Sequence, residues 1–397
     1  MKQRYYILFL VYLWTINVHA VDTEFSGNTA IEYKYFPQEP LDPRQHGNNF
    51  SASIEPEYAV SWDEGNQTLV TRIFARWDEG DDERTHADIR ELLWTRASGE
   101  WEFKLGIGKE YWGVTESRHL VDIINQTDAV ENVDFEDKLG QPMAKLSWIQ
   151  DWGTFEGFVL PYFRTRTYPG VNGRPRTTPR VDNDQINFES SDEERHIDYA
   201  MRYSHSIEAW DFGLSYFTGT SRDPRFTPGL TSLGEEVFVQ NYDLIDQVGL
   251  DVQATFDAWL WKLEAIRRVG QGDPYNGLTG GFEYSFYGIF GSDADLGVLA
   301  EYIYDSRGIG ADSPFQDDVL FGFRLALNDV QSTEILVGQI VDRKNYTTTF
   351  NIEASRRIGD SFKLEFESRF YERTDSNDVT NSLRYDDYLQ LLLAYYF

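Results

Sequence analysis

The chain of 397 residues contains no cysteine. This absence excludes a disulfide framework, a thiolate metal site and a cysteine nucleophile. Positive charge is also scarce, since 36 lysines and arginines stand against 66 aspartates and glutamates. The formal net charge of −30 argues against nucleic acid as a partner, because phosphates repel such a chain.

Long hydrophobic runs are missing as well. The one continuous apolar run begins at Tyr5, and it is shorter than the roughly 20 residues that a transmembrane helix needs. Two basic residues precede this run and a small-residue site ending at Ala20 follows it, which is the pattern of a secretory signal peptide. We therefore expect residues 1–20 to be a cleaved signal peptide and residues 21–397 to form the mature chain.

Alternating hydrophobic residues are abundant by contrast. In the final segment, every second position from Leu389 to Phe397 is leucine, tyrosine or phenylalanine. A period of two indicates an extended strand with one apolar face. Because only helices and closed barrels satisfy their backbone in lipid, a membrane-embedded form of this chain must be a β-barrel.

Segments of about ten alternating residues recur along the whole chain, separated by eight short and nine longer gaps in strict alternation. This pattern predicts an all-β fold, a transmembrane antiparallel up-and-down barrel of about 18 strands, with 16 as the alternative. Short periplasmic turns would lie at one end and long extracellular loops at the other. Gln271–Gly277 counts among the longer gaps, and Asp88–Thr95 shows no clean apolar face.

Tryptophan is concentrated near the short gaps. Eight of the ten tryptophans beyond residue 20 lie in or near them, which predicts an aromatic girdle at one membrane interface. These are Trp62, Trp94, Trp101, Trp148, Trp152, Trp210, Trp259 and Trp261.

Two segments resemble known outer-membrane proteins. The last strand, ending in Phe397, resembles the C-terminal assembly signal of bacterial outer-membrane proteins. Trp112-Gly113, followed by Asp122, Asn125 and Asp128, resembles an element of porin-like families, and the whole resembles 18-stranded substrate-specific porins and the alginate exporter. The resemblance implies the outer membrane of a Gram-negative bacterium, contact with lipid and lipopolysaccharide, and recognition by the barrel-assembly machinery. It leaves a homotrimer open.

The strand faces that oppose the apolar ones carry about as many basic as acidic residues. Because unpaired charge is costly to bury, this predicts a water-filled interior. The third long gap, Glu110–Gly140, is strongly acidic, and in trimeric porins the third extracellular loop folds inward. We expect this segment to narrow the barrel, with a position on the extracellular surface as the alternative. The candidate lumen and constriction residues are Arg72, Arg76, Lys104, Arg202, Arg324, Arg369, Glu110, Glu116, Asp122, Asn125 and Asp128.

Together these features predict a channel for passive diffusion of small polar solutes, since 18 strands enclose a wide enough space. A polysaccharide exporter is one alternative, although the alginate exporter has an arginine-rich path and this lumen is near charge balance. A non-transporting adhesin or anchor is another. A membrane-embedded hydrolase is disfavoured because only five histidines follow residue 20 and no Gly-x-Ser-x-Gly or His-Glu-x-x-His pattern occurs. No enzyme activity, cofactor or metal is expected.

Overall fold

The computed structural model describes residues 21–311 and 313–397, so the signal peptide expected at 1–20 lies outside the described residues. Short 3-10 turns occur at Glu193–Arg195, Ile289–Gly291, Gly308–Gly310 and Val379–Leu383. The strands are β1 (Asp22–Tyr35), β2 (Asn49–Trp62), β3 (Gln67–Asp78), β4 (His86–Ser98), β5 (Trp101–Gly108), β6 (Gln141–Gln150), β7 (Gly153–Leu160), β8 (Val181–Phe188), β9 (Asp198–Ile207), β10 (Trp210–Thr220), β11 (Arg225–Leu230), β12 (Glu236–Tyr242), β13 (Leu244–Phe256), β14 (Trp259–Gly270), β15 (Gly272–Phe286), β16 (Asp295–Asp305), β17 (Asp317–Ala326), β18 (Glu334–Asp342), β19 (Thr348–Ile358), β20 (Phe362–Glu372) and β21 (Tyr388–Tyr396).

Eighteen of these strands form one closed antiparallel barrel. Each barrel strand pairs with the next along the chain, and β21 closes the ring against β1 from Asn28 opposite Tyr396 to Tyr35 opposite Leu389. Phe397 extends this closure, exchanging two backbone hydrogen bonds of 3.1 Å with Gly27. A closed ring leaves no unpaired sheet edge. The predicted up-and-down barrel is confirmed, with 18 strands rather than 16.

The outer face of the barrel is apolar. On β17, Val319, Phe321 and Phe323 are exposed on one face, while Leu320 is buried on the other. Among residues 21–311 and 313–397, no helix combines the length and the apolar character that a membrane crossing requires.

Aromatic rings contact one another around the short-turn end. Trp101 stacks on Trp148 with ring centroids 5.7 Å apart, and Trp148 meets Trp152 edge-on at 5.2 Å. Trp152 in turn stacks on Tyr203. All three tryptophans are exposed on the outer surface, where their half-polar rings suit a membrane interface.

One connection differs from its prediction. The gap expected at Gln271–Gly277 is a single residue, because β14 and β15 pair up to Gly270 opposite Gly272. Both glycines have positive φ, 102° and 73°, which lets the chain reverse around Gln271. The expected longer loop is therefore wrong at this position, although the strand count is unaffected.

The missing apolar face of Asp88–Thr95 has a specific cause. Arg72 pairs with Glu91, but the next residue, Ile73, pairs with Ile89. Arg90 is thus an extra residue in β4, and such a bulge reverses the alternation of faces along the strand. The inserted Arg90 side chain is buried.

Two long loops build a second, three-stranded sheet. β12 pairs with β11 antiparallel and with β8 parallel. The sequence interpretation assigned all three segments to loops. They are short strands outside the barrel ring, so they add nothing to the barrel count.

Part of the barrel interior is dry. Leu120, Val121, Ile123 and Ile124 of the β5–β6 connection are buried in one apolar cluster with inward side chains of the wall. The wall partners include Met143, Phe158, Leu160, Phe217, Ile245 and Ile266. The expectation of a wholly water-filled interior is wrong on this side, because apolar residues on the inner face meet an apolar loop and exclude water.

Candidate functional site

Residues 109–140, hereafter the crossing loop, run from β5 across the barrel interior. The Glu116 carboxylate lies 2.8 Å from Nη2 of Arg324 on β17 and 3.5 Å from Nζ of Lys262 on β14. β17 is the ninth strand from β5 around the ring of 18, so it stands on the opposite wall. The loop therefore reaches from one wall to the other.

Glu264 of β14 anchors the far part of the crossing loop. Its carboxylate accepts backbone N–H bonds from Val114 at 2.7 Å, Thr115 at 3.0 Å and Val121 at 3.2 Å. Gly113 passes so close that an added Cβ would lie 2.8 Å from Oε1 of Glu264, and its φ is +120°. The Trp112-Gly113 pair thus has a steric reason for its glycine.

Glu301 of β16 makes a second anchor beside the first. It accepts backbone N–H bonds from Glu116 at 2.7 Å and Ser117 at 2.8 Å, and the Ser117 hydroxyl donates at 2.6 Å. Such charge-assisted bonds are stronger than neutral ones. Two wall carboxylates therefore hold the loop between Val114 and Val121. In the sequence, the alternation of strand residues indicates only that both side chains face inward.

The near part of the crossing loop pairs with arginines of β3 and β4. Asp128 lies 2.6 Å from Nη2 of Arg90, and Glu131 lies 2.7 Å from Nη2 of Arg76. Arg76 also reaches Glu32 at 3.3 Å. Burial raises the pKa of Asp128, but contacts with His86 and Arg90 outweigh it and hold the pKa at about 2.

Asn125 joins the two ends of the crossing loop. Its amide donates to the carbonyls of Gly108 at 2.9 Å and Leu139 at 2.8 Å, and its side-chain oxygen accepts from the Glu110 N–H at 2.9 Å. The side chain is buried. The role of this predicted site residue is therefore to hold the base of the loop.

Glu110 and Asp122 each pair with lysine side chains inside the barrel. The Glu110 carboxylate lies 2.9 Å from Nζ of Lys145 and 3.8 Å from Nζ of Lys104. Asp122 lies 3.4 Å from Nζ of Lys138, and burial raises its pKa despite this lysine.

The remaining candidates have weaker links to the loop or none. Arg72 pairs with Glu57 and lies near Glu55 and Glu91, all on the wall. Arg202 forms a bidentate ion pair with Asp251, and its guanidinium lies 5.2 Å from the centroid of the Trp112 ring. Arg369 lies 3.8 Å from Asp134.

His119 lies between two carboxylates, with Nε2 3.4 Å from Glu136 and Nδ1 3.6 Å from Glu264. Burial lowers its pKa, but these carboxylates outweigh burial and raise it to about 10. Because the pKa of His119 is higher in the folded than in the unfolded protein, its protonation stabilises the fold. This contribution to stability is complete below about pH 6.5 and is lost as the pH rises through about 10.

We therefore expect the crossing loop to loosen above about pH 10. Single-channel recordings between pH 7 and 11 should show more frequent current fluctuations at the alkaline end. His119→Gln should fluctuate already at pH 7, with less dependence on pH. His205→Gln is the control, because His205 lies in β9 away from the loop. A flat pH response in the unchanged protein would contradict this role of His119.

A cavity of about 980 Å³ lies against the crossing loop and the loops at 161–197 and 221–243. Several arginines that line this cavity lie in loops, where the alternation of strand residues predicts no inward face. Repeated Arg-x-Arg pairs at 164–166 and 174–176 were the available signal. They distinguish the 161–197 loop from its acidic neighbours.

One group of potential metal ligands occurs among the described residues: His86, Asp128 and Glu131. Its two carboxylates already pair with Arg90 and Arg76 at 2.6 and 2.7 Å. Two guanidinium groups at this distance disfavour an added cation.

No family model matches the chain, and no curated protein matches it. Among solved structures it is similar to Pseudomonas aeruginosa OccK3 (OpdO), with a TM-score of 0.55, 10% identity, and coverage of 95% of this chain and 96% of that one. It is also similar to OmpTdeltaL8, a loop L8 deletion mutant of the Vibrio cholerae outer membrane protein OmpT, with a TM-score of 0.49, 9% identity, and coverage of 95% of this chain and 100% of that one. A mutant of Rh. blastica porin has a TM-score of 0.44 and 10% identity, with coverage of 95% of this chain and 100% of that one. At such low identity the likeness to OccK3 concerns the fold alone, and the chain has the closed barrel fold of outer-membrane porins.

Proposed function

We propose that this protein is a channel of the Gram-negative outer membrane through which small polar solutes diffuse passively. The observation that carries the proposal is the crossing loop, which ties opposite walls together through Glu116 and Arg324. A loop held across an 18-stranded barrel reduces the cross-section of the path through it and leaves the barrel's lipid-facing exterior unchanged. The proposal includes export by a cleaved signal peptide and assembly through the strand ending at Phe397.

The charges at the loop suit polar solutes. Glu116 of the loop faces Arg324 of the wall, and both side chains are partly exposed, whereas the pairs of Asp128 and Glu131 are buried. The opposed charges of Glu116 and Arg324 create a field that orders water and favours polar over apolar solutes. The proposed solute class follows from this field.

A filled anchor or adhesin would leave no space for a solute. The cavity of about 980 Å³ beside the loop supports a path instead. Swelling of liposomes that contain the folded protein tests this directly. Uptake of a small sugar is expected, and the absence of uptake by folded protein would favour the anchor.

Arg324→Ala should shift ion selectivity toward cations. Removing this arginine leaves Glu116 without its closest cation, and we expect the cation-to-anion permeability ratio to rise by about twofold. Reversal potentials in a salt gradient measure the ratio. Arg76→Ala should act in the same direction through Glu131, whereas Arg72→Ala should act less because its partners are all on the wall.

Arg356→Ala is the matched control for this series. Arg356 is exposed and pairs with Asp329 at the short-turn end, away from the loop. It should leave the reversal potential unchanged. The constriction assignment is refuted if Arg324→Ala gives the same reversal potential as this control.

A further inference from the structure

The cavity beside the crossing loop is basic although the protein is acidic. Among the described residues, eight arginines and one lysine line this cavity, together with seven carboxylates. The whole chain, in contrast, has a formal net charge of −30. The cations are Arg118, Arg166, Arg176, Arg222, Arg268, Arg307, Arg369, Arg384 and Lys138. Such a local excess attracts anions.

Asp223 projects its carboxylate into this cavity between two arginines. Its oxygens lie 3.1 Å from Nη2 of Arg166 and 3.6 Å from Nη1 of Arg268. Its backbone carbonyl accepts from Gln271 at 2.7 Å and from the Ser221 hydroxyl at 2.8 Å. The backbone is fixed, yet the side chain is 52% exposed.

The two arginines are held in place by other groups. Arg166 donates Nε–H to Gln126 at 3.0 Å and Nη2–H to the Arg222 carbonyl at 2.9 Å. Arg268 donates Nε–H to Gln247 at 2.8 Å. Their geometry therefore does not depend on Asp223, and both would persist if its carboxylate moved away.

Arg118 of the crossing loop adds a third guanidinium within electrostatic range of Asp223. Among residues 21–311 and 313–397 no carboxylate lies within ion-pair distance of it, and its buried Nη1 has no hydrogen-bond partner. Two arginines therefore contact the Asp223 carboxylate, and the charge of a third acts on it from the same cavity.

A purely structural ion pair looks different in this same protein. Arg222, next in sequence to Asp223, pairs with Asp198 at 2.6 Å, and both side chains are at least 96% buried. That pair fixes the loop. The exposed Asp223 carboxylate, in contrast, can leave its arginines without being stranded away from water.

We propose that Arg118, Arg166 and Arg268 form a binding site for an oxyanion on the solute path, and that Asp223 is a tethered occupant which the solute displaces. Guanidinium groups bind carboxylate and phosphate alike, because both present paired oxygens to their N–H groups. The inference rests on the proposed channel function and deepens it by naming the class of solute.

Titration calorimetry on the folded protein in detergent tests the site without requiring conduction. The probes are succinate and inorganic phosphate, each added in a chloride background. Asp223→Asn removes the competing charge and should lower the dissociation constant of the preferred probe by about tenfold, the scale of one close charge contact near water. Arg118→Gln should weaken binding by a similar factor. The probe that responds identifies the oxyanion as carboxylate or phosphate.

Asp273→Asn is the matched control, because it makes the same charge change at an exposed residue of β15 outside the cavity. If Asp223→Asn binds both probes no more tightly than Asp273→Asn does, the inference is overturned. Bilayer recordings on the same samples keep the two proposals apart. Protein that binds a probe but carries no current contradicts the channel, and protein that conducts with no effect of Asp223→Asn contradicts the site.

Discussion

Replacing Glu264 and Glu301 together by leucine is expected to raise single-channel conductance at least about twofold. These carboxylates accept the backbone N–H bonds of Val114, Thr115, Val121, Glu116 and Ser117. Leucine accepts none of them, and each buried donor left unpaired costs about 1–3 kcal/mol. The loop should then leave its anchors and hydrate, which widens the path.

Two controls separate loop release from a damaged barrel. Glu365→Leu changes a wall carboxylate of β20 that contacts Lys363 but not the loop, so conductance should stay at its original value. Limited proteolysis should cut the double variant within the crossing loop while the strands stay protected. Unchanged conductance in a double variant that still migrates as a folded barrel would show that the loop does not limit the current.

Arg84→Met is expected to lower the free energy of unfolding by about 3–5 kcal/mol, the usual cost of stranding a buried charge partner. Arg84 is buried, with Nη1 2.8 Å from Glu32 and 2.9 Å from Asp78. Its Nε–H also donates to the Val130 carbonyl of the crossing loop at 2.9 Å. Methionine fills much of the volume but leaves both carboxylates short of a cation.

Denaturant titration in lipid vesicles measures this change. Arg356→Met serves as the reference, because its pair with Asp329 is exposed and such pairs contribute little. A loss for Arg84→Met no larger than that of Arg356→Met would contradict this role, and would mean that Arg76, 3.3 Å from Glu32, neutralises that carboxylate without Arg84. A second variant, Arg84→Lys, should recover part of the stability because it restores one charge.

The architecture follows from local pattern to a large extent. Each strand must present apolar residues outward, and a period of two makes this visible in segments such as Val319–Phe323. The strand count and the end at which the long loops lie follow from the same rule. Two errors are local: Gly270 and Gly272 close a turn that was expected to be longer, and the bulge at Arg90 hid one strand's faces. The third error is not local, because β8 and β12, expected to be loops, pair across two separate connections.

The site followed from the sequence only in part. The acidic residues of 110–140 marked the loop. Arg76 and Arg324 are among its wall contacts, and Asn125 within it holds its base. The anchoring role of Glu264 and Glu301 was not visible, because a strand glutamate that hydrates a wall has the same local pattern as one that accepts loop N–H groups.

The alternation of residues close together in the chain therefore predicts the barrel, because neighbouring positions of a strand face lipid on one side and polar groups on the other. The path of the crossing loop and the arginine-lined cavity depend on contacts between distant residues. Glu301 lies 185 residues from Glu116, and Asp223 lies 57 residues from Arg166. Such pairs meet only once the ring has closed, because closure alone brings opposite walls within reach of one loop.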